Sequence, residues 1–240
     1  MTPNTLIQLS LLEALRLNTR NRITFVERLA QRGDYIQLPL GSYFFNAPDA
    51  ALHVLQRADK YFQKQDTPYD LMFEALGPGA LTLDGKAWKE ARARYQPQFF
   101  HQAIEEVLPT IRSTIQGHCS KYSAQSFSLN DMIAPIITEG MLSVLCGVSS
   151  KEYAAITTPI LQLANKEISR FSPFIRPISK RKKLQKGLSE MHQCLLSMAP
   201  KFSPQAMLGP LIEGFNQQSI SEAAFLGELK NFLIAGAETT

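Results

Sequence analysis

The sequence predicts a mainly α-helical protein with a small β-sheet near its N-terminus. Three observations lead there. From Asp84 onward, apolar residues recur at helical spacing through one segment after another, the signature of helices that bury one face. Before that point, two short β-rich runs, Tyr35–Leu40 and Ser42–Asn46, flank Gly41 and read as a hairpin. No repeat, low-complexity tract or long linker interrupts residues 1–240, so they read as one domain.

The elements follow in order. Asn18–Arg32 carries Ile23, Phe25, Val26 and Leu29 at helical spacing, and Gly33 ends it. Past the hairpin, Pro48 opens a short helix through Ala51, Leu52 and Leu55, at a position where its missing N–H costs nothing. Residues 61–80 lose any period. Asp84 is placed to cap Gly85–Tyr95, and Pro97 limits that helix. His101–Ser123 is amphipathic through Ile104, Val107, Leu108, Ile111 and Ile115. A β-like run, Ser126–Leu129, leads to Asn130 or Asp131 as the cap of Met132–Cys146. Further helices are expected over 151–170, 180–198 and 204–216. Ser219-Ile220-Ser221-Glu222 then reads as a capping box opening the last helix.

Composition narrows the function classes. Apolar residues make up 45% and charged residues 19%, ordinary for a soluble protein with a sizeable core. Of the charges, six positive ones lie between Arg176 and Lys186, which exceeds the net charge of +4, so the remainder is close to neutral. That run reads as a solvated helix start or loop, and no nucleic-acid partner is expected. Cys119, Cys146 and Cys194 are too few and too scattered for a disulfide framework or a zinc site, and they suit a cytoplasmic location. The N-terminus lacks the features of a signal peptide, and no window approaches the ~20 apolar residues of a transmembrane segment.

Two constellations could carry chemistry. Trp88 and Arg92, at i and i+4, share one face of the helix after Asp84. An indole that can only donate and a guanidinium that stays charged suit a planar anion, though a core Trp beside a surface Arg gives the same spacing. The second is Ala235-Gly236-Ala237-Glu238-Thr239-Thr240, closing an apolar helical stretch. Gly236 suggests close approach or a local opening of the helix, and the Glu238 carboxyl beside the Thr239 hydroxyl could pass protons into a dry pocket. A fraying polar helix end remains the alternative.

Taken together, the two motifs resemble the N-terminal part of a cytochrome P450 over essentially the whole chain. Asp84-Gly85-Lys86-Ala87-Trp88-Lys89-Glu90-Ala91-Arg92, then Pro97-Gln98-Phe99, is similar to that family's C-helix signature. Phe232–Thr240 is similar to its I-helix signature, and the hairpin with Asn46–Ala50 to its first sheet and B helix. The resemblance implies haem b as cofactor, with Trp88 and Arg92 holding its propionates and Ala235 and Gly236 against its distal face. It implies Glu238 and Thr239 as catalytic proton donors, and Leu81 as a residue of the substrate pocket. It implies a lipophilic small-molecule substrate and a ferredoxin, flavodoxin or reductase as redox partner, with Lys86, Lys89 and Arg94 as candidate contacts. Phe171–Lys183 would be the entrance segment between the F and G helices.

The family's cysteine ligand motif, F-x-x-G-x-R-x-C-x-G, is matched by none of the three cysteines, so no metal-ligating residue is assigned in this chain. Glu13-Ala14-Leu15-Arg16 and Glu167-Ile168-Ser169-Arg170 match E-x-x-R but precede the I-helix motif, and both read as amphipathic-helix coincidences. Two functional expectations stay open. One is a portion of a haem-thiolate monooxygenase, and the other a truncated, catalytically inactive helical binding protein. A chain closing within the last helix is also expected to leave that helix's apolar face exposed and the protein aggregation-prone.

Overall fold

A parallel pairing at the N-terminus organises the first part of the molecule. In the computed structural model, which describes residues 6–17, 22–64, 72–74, 76–120, 128–168 and 178–239, the chain separates into two compact units, residues 1–63 and 64–240. In the first unit, β1 (Ile7–Gln8) pairs parallel with β2 (Tyr35–Gln37), placing Ile7 opposite Ile36. β2 pairs antiparallel with β3 (Tyr43–Phe45), in the order β1-β2-β3. The hairpin turns through Pro39–Gly41, where Gly41 adopts φ 76°, a left-handed conformation that side-chain-bearing residues avoid.

Helices α1 (Leu11–Leu17) and α2 (Arg22–Ala30) accompany this sheet, and Leu9, Leu29 and Ile36 form its core. The residues before Asn18 carried no expected element, yet they hold both β1 and α1. Ser10 and Glu13 form a reciprocal cap: the Ser10 N–H donates to Glu13 Oε2 (2.9 Å) and the Glu13 N–H to Ser10 Oγ (3.3 Å). Glu13 also pairs with Arg32 at 3.8 Å. Its place in an E-x-x-R string is therefore explained by a helix cap. α3 (Pro48–Tyr61) begins at the expected proline and runs for 14 residues, longer than the short helix expected.

The second unit is helical. α4 (Gly85–Tyr95) has the expected bounds, followed by a 3₁₀ turn at Gln96–Phe99 and α5 (His101–Cys119). α6 (Leu129–Cys146) starts earlier than expected, from Ser128 at the cap position, so Leu129 is helical rather than extended. Residues 126–127 of the expected β-like run lie outside the described residues. α7 (Lys151–Ile168), α8 (Ile178–Met198), α9 (Gly209–Asn216) and α10 (Glu222–Thr239) complete the unit.

Two boundaries differ for physical reasons. The helix expected over 204–216 begins only at Gly209, because the preceding backbone closes α6. Ser203, Met207 and Leu208 donate their N–H groups to the carbonyls of Cys146, Val144 and Leu145 at 2.9, 3.1 and 3.0 Å. The last carbonyls of a helix need such donors. Likewise Ser219 does not cap α10: its hydroxyl donates to Gly214 O (3.0 Å), while Ser221 Oγ accepts from the Ala224 N–H (3.3 Å).

The core of this unit joins Leu142, Leu145 and Cys146 on α6, Tyr153 on α7, and Met191 and Leu195 on α8. Leu211 and Ile212 on α9, and Phe225, Leu226, Leu229, Leu233 and Ile234 on α10, also belong to it. Those five α10 side chains are at most 2% exposed, against α6, α7 and α9. The expectation of an exposed apolar face on this helix is therefore overturned. Partners within the chain cover it.

Among the described residues no single helix is long and apolar enough to cross a membrane, and no group of metal-ligating side chains is found. The segment expected as an entrance, with Phe171, Phe174 and Ile175, lies largely outside the described residues.

Candidate functional site

α4 delivers the first candidate pair. Asp84 occupies the N-cap position with extended backbone, but its carboxylate makes no capping bond. It accepts instead from the Lys64 N–H at 2.5 Å, while Lys64 Nζ donates to the carbonyls of Leu81 (3.1 Å) and Leu83 (2.9 Å). The start of α4 and the turn before it are thus held by one lysine. One helical turn on, the Arg92 guanidinium stands over the Trp88 ring at 5.3 Å. Trp88 is half-buried and Arg92 exposed, so the face presents donors at the edge of the protein. Lys86 pairs with Glu90 at 3.6 Å, and Lys89 and Arg94 are exposed.

α10 lies beside α4. The rings of Tyr95 and Phe232 meet edge-on at 4.8 Å, and Phe232 stacks on Phe99 at 5.4 Å. Ala235 and Gly236 are half-buried near the end of α10. A Cβ on Gly236 would fall 2.3 Å from Met141 Cε and 2.6 Å from its sulfur, so bareness there admits α6 at close range. Glu238 and Thr239 continue α10, but their side chains and all of Thr240 lie outside the described residues.

The turn Gly77–Leu83 is seated on α10. The Ala80 N–H donates to Glu228 Oε2 and the Leu81 N–H to Asn231 Oδ1, both at 3.0 Å. Leu81, the candidate pocket residue, is half-buried by this docking. Glu228 and Asn231 are each 1% exposed. Burial pushes the Glu228 carboxyl above its ordinary pKa, against the Ala80 hydrogen bond and the attraction of Arg94. Tyr95 is pushed up to about 12, first by burial and then by Glu228. Glu228 Oε1 and the Tyr95 hydroxyl are both buried without a hydrogen-bond partner among the described residues. Sequence reasoning passed over Glu228, Asn231 and Tyr95. The signal was a polar group, Glu228, Lys230 and Asn231, next to Gly227 in the middle of a helix that is apolar on either side.

The charged cluster elsewhere has a structural character. His118 Nε2 lies 2.6 Å from Glu139 Oε2, joining α5 to α6, and the Ser149 hydroxyl donates to Glu139 Oε1. Burial opposes ionisation of Glu139, but the bonds from Ser149 and His118 hold its pKa below the ordinary value. The group lines an open cavity of about 510 Å³ with Thr110, Thr114 and Lys151. The cysteines show no thiolate character where they are buried. Burial pushes the Cys146 thiol far up, and Cys194 is raised as well.

No family model matches the chain. Cytochrome P450 52A1 of Candida tropicalis is 28% identical over 87 residues, and cytochrome P450 52A4 of Candida maltosa 28% over 85. Each match spans 35% of this chain and 16% of the relative. Among solved structures, CYP175A1 of Thermus thermophilus matches 97% of this chain with a TM-score of 0.74 at 17% identity. The retinoic acid-bound cyanobacterial CYP120A1 matches 95% with a TM-score of 0.73 at 16% identity. The haem domain of cytochrome P450DA matches 98% with a TM-score of 0.74 at 16% identity. The chain spans 58%, 54% and 58% of those three structures. Its fold is that of a portion of a cytochrome P450.

Proposed function

We propose that this chain forms the oxygen-side portion of a haem-thiolate monooxygenase that hydroxylates a lipophilic substrate, drawing electrons from a redox partner. One observation carries the reading. The end of the helix bearing Trp88 and Arg92 meets the helix bearing Gly236, where the Tyr95 ring contacts Phe232, within a fold that follows cytochrome P450 structures along nearly the whole chain.

The residues fit haem b in their chemistry. A half-buried indole and an exposed guanidinium on one helical face are donors without acceptors, which suits two carboxylates on a flat apolar ring. When bound, the cofactor would supply the activation of dioxygen. This chain's part is to hold, exclude and donate. Trp88 and Arg92 fix the carboxylate edge. Ala235 keeps the α10 surface low where a small gas must fit, and Gly236 beside it admits the Met141 side chain of α6. The Glu238 carboxyl and the Thr239 hydroxyl carry protons inward, and Leu81 walls the pocket with apolar surface that keeps bulk water out. Lys89 and Arg94 offer positive charge to an acidic ferredoxin, flavodoxin or reductase surface. We place the protein in the cytoplasm, a reading supported by its scattered free cysteines.

Haem titration followed by the Soret band tests this. Trp88→Phe and Arg92→Leu should each weaken haem affinity by about tenfold or more, the scale of one charge-assisted or buried hydrogen bond. Circular dichroism should show the helices unchanged. Absence of haem uptake by the wild-type chain, or wild-type affinity in both variants, would refute the reading.

A further inference from the structure

The contact between the turn Gly77–Leu83 and α10 is more specific than packing requires. Glu228 and Asn231 stand one helical turn apart, so their oxygens meet two successive amides, Ala80 and Leu81, each at 3.0 Å. Asn231 is itself fixed, because its Nδ2 donates to Gly227 O at 2.7 Å. The turn is tied internally: Thr82 Oγ1 donates to Gly77 O (2.7 Å) and accepts from the Gly79 N–H (3.0 Å). Both surfaces are bare where they touch. A Cβ on Gly227 would fall 2.0 Å from Pro78 O, and one on Gly79 would fall 2.5 Å from Asn231 Nδ2.

A carboxyl is a costly choice for such a place. Glu228 is almost wholly buried, and only one of its two oxygens finds a hydrogen-bond partner among the described residues. A leucine would fill the same volume without desolvating a polar group. What the carboxyl adds is a directional acceptor for one particular amide.

We infer that Glu228 and Asn231 are positioning residues that latch the turn Gly77–Leu83 onto α10 and thereby set where Leu81 stands at the substrate pocket. The pocket itself rests on the monooxygenase reading, whereas the latch does not. Neither residue touches substrate in this account. They act through the turn, whose internal ties make it move as one body.

The test compares Glu228→Gln, Glu228→Leu and Asn231→Leu with the wild-type chain. Amide exchange measured by NMR should accelerate at Ala80 in Glu228→Leu and at Leu81 in Asn231→Leu by about tenfold or more, while α6 and α8 keep their protection. Glu228→Gln keeps an acceptor oxygen and should exchange within about threefold of wild type at Ala80. Unchanged exchange in both leucine variants, or identical behaviour of Gln and Leu at position 228, overturns the latch. So does a uniform rise across all helices, which would signal loss of the fold instead.

The second readout uses haem-loaded protein and lauric acid as a lipophilic probe. The leucine variants should raise its spectral dissociation constant by about tenfold, with haem affinity within about twofold of wild type. An unchanged dissociation constant overturns the link to the pocket. If the wild-type chain takes up no haem, the monooxygenase reading and the pocket link fail together, and the exchange result still decides the latch.

Discussion

Gly227→Ala is the sharpest perturbation of the α10 contact, because local and tertiary physics pull in opposite directions. Gly227 sits inside a helix, where alanine is favoured over glycine by about 1 kcal/mol. An isolated helix would gain from the change. In the folded protein, however, the new methyl would lie 2.0 Å from Pro78 O and 2.9 Å from Pro78 N. Those are backbone atoms of a turn held by Thr82, so no flexible side chain can swing away. The turn must lift from α10, breaking the bonds from Ala80 to Glu228 and from Leu81 to Asn231. Each lost bond leaves a buried acceptor and costs about 1–3 kcal/mol. Set against the helix gain, the net destabilisation is about 1–5 kcal/mol. Urea unfolding followed by circular dichroism reads it as a lower midpoint with an unchanged slope. Gly236→Ala is the internal control. Its methyl meets only the Met141 side chain, whose thioether can repack, so its loss should be smaller. A Gly227→Ala protein as stable as wild type, or less affected than Gly236→Ala, would refute the reasoning.

Two further substitutions address buried polar groups. Glu139 is held below its ordinary pKa, so its contribution is present above the unfolded value and is lost as pH falls through the folded one. Urea midpoints measured on acidification from neutral pH should therefore fall less steeply in Glu139→Gln than in wild type, with a lower starting stability. Parallel curves would show that Glu139 carries none of the acid sensitivity. Tyr95→Phe removes a buried hydroxyl that has no partner among the described residues, so thermal melts should show a change between neutral and about 1 kcal/mol of gain. A clear loss of stability would mean that the hydroxyl makes a bond that matters.

Much of the helical frame was legible because its signals are local. Pro97 limits α4, and Gly147 ends α6 in the left-handed conformation that only glycine adopts readily. The cap formed by Ser10 and Glu13 was equally local and could have revealed α1. β1 was not readable. A two-residue strand has no period of its own and exists because Ile36 pairs with Ile7 across the intervening helices. The delayed start of α9 was not readable either, since residues 203–208 are held by carbonyls of α6 far back in the chain.

The candidate site divides along the same line. Trp88 and Arg92 on one helical face, and Gly236 within an apolar helix, follow from spacing alone, because an α-helix fixes which side chains are neighbours three and four residues apart. The seating of the turn Gly77–Leu83 on Glu228 and Asn231 was decided only by the tertiary structure. That contact joins groups about 150 residues apart in sequence, and each half looks ordinary without the other. A buried carboxyl and a bare glycine are liabilities in a lone helix. They become sensible only when a backbone turn lies against them, since hydrogen bonding and close approach depend on what folding brings near.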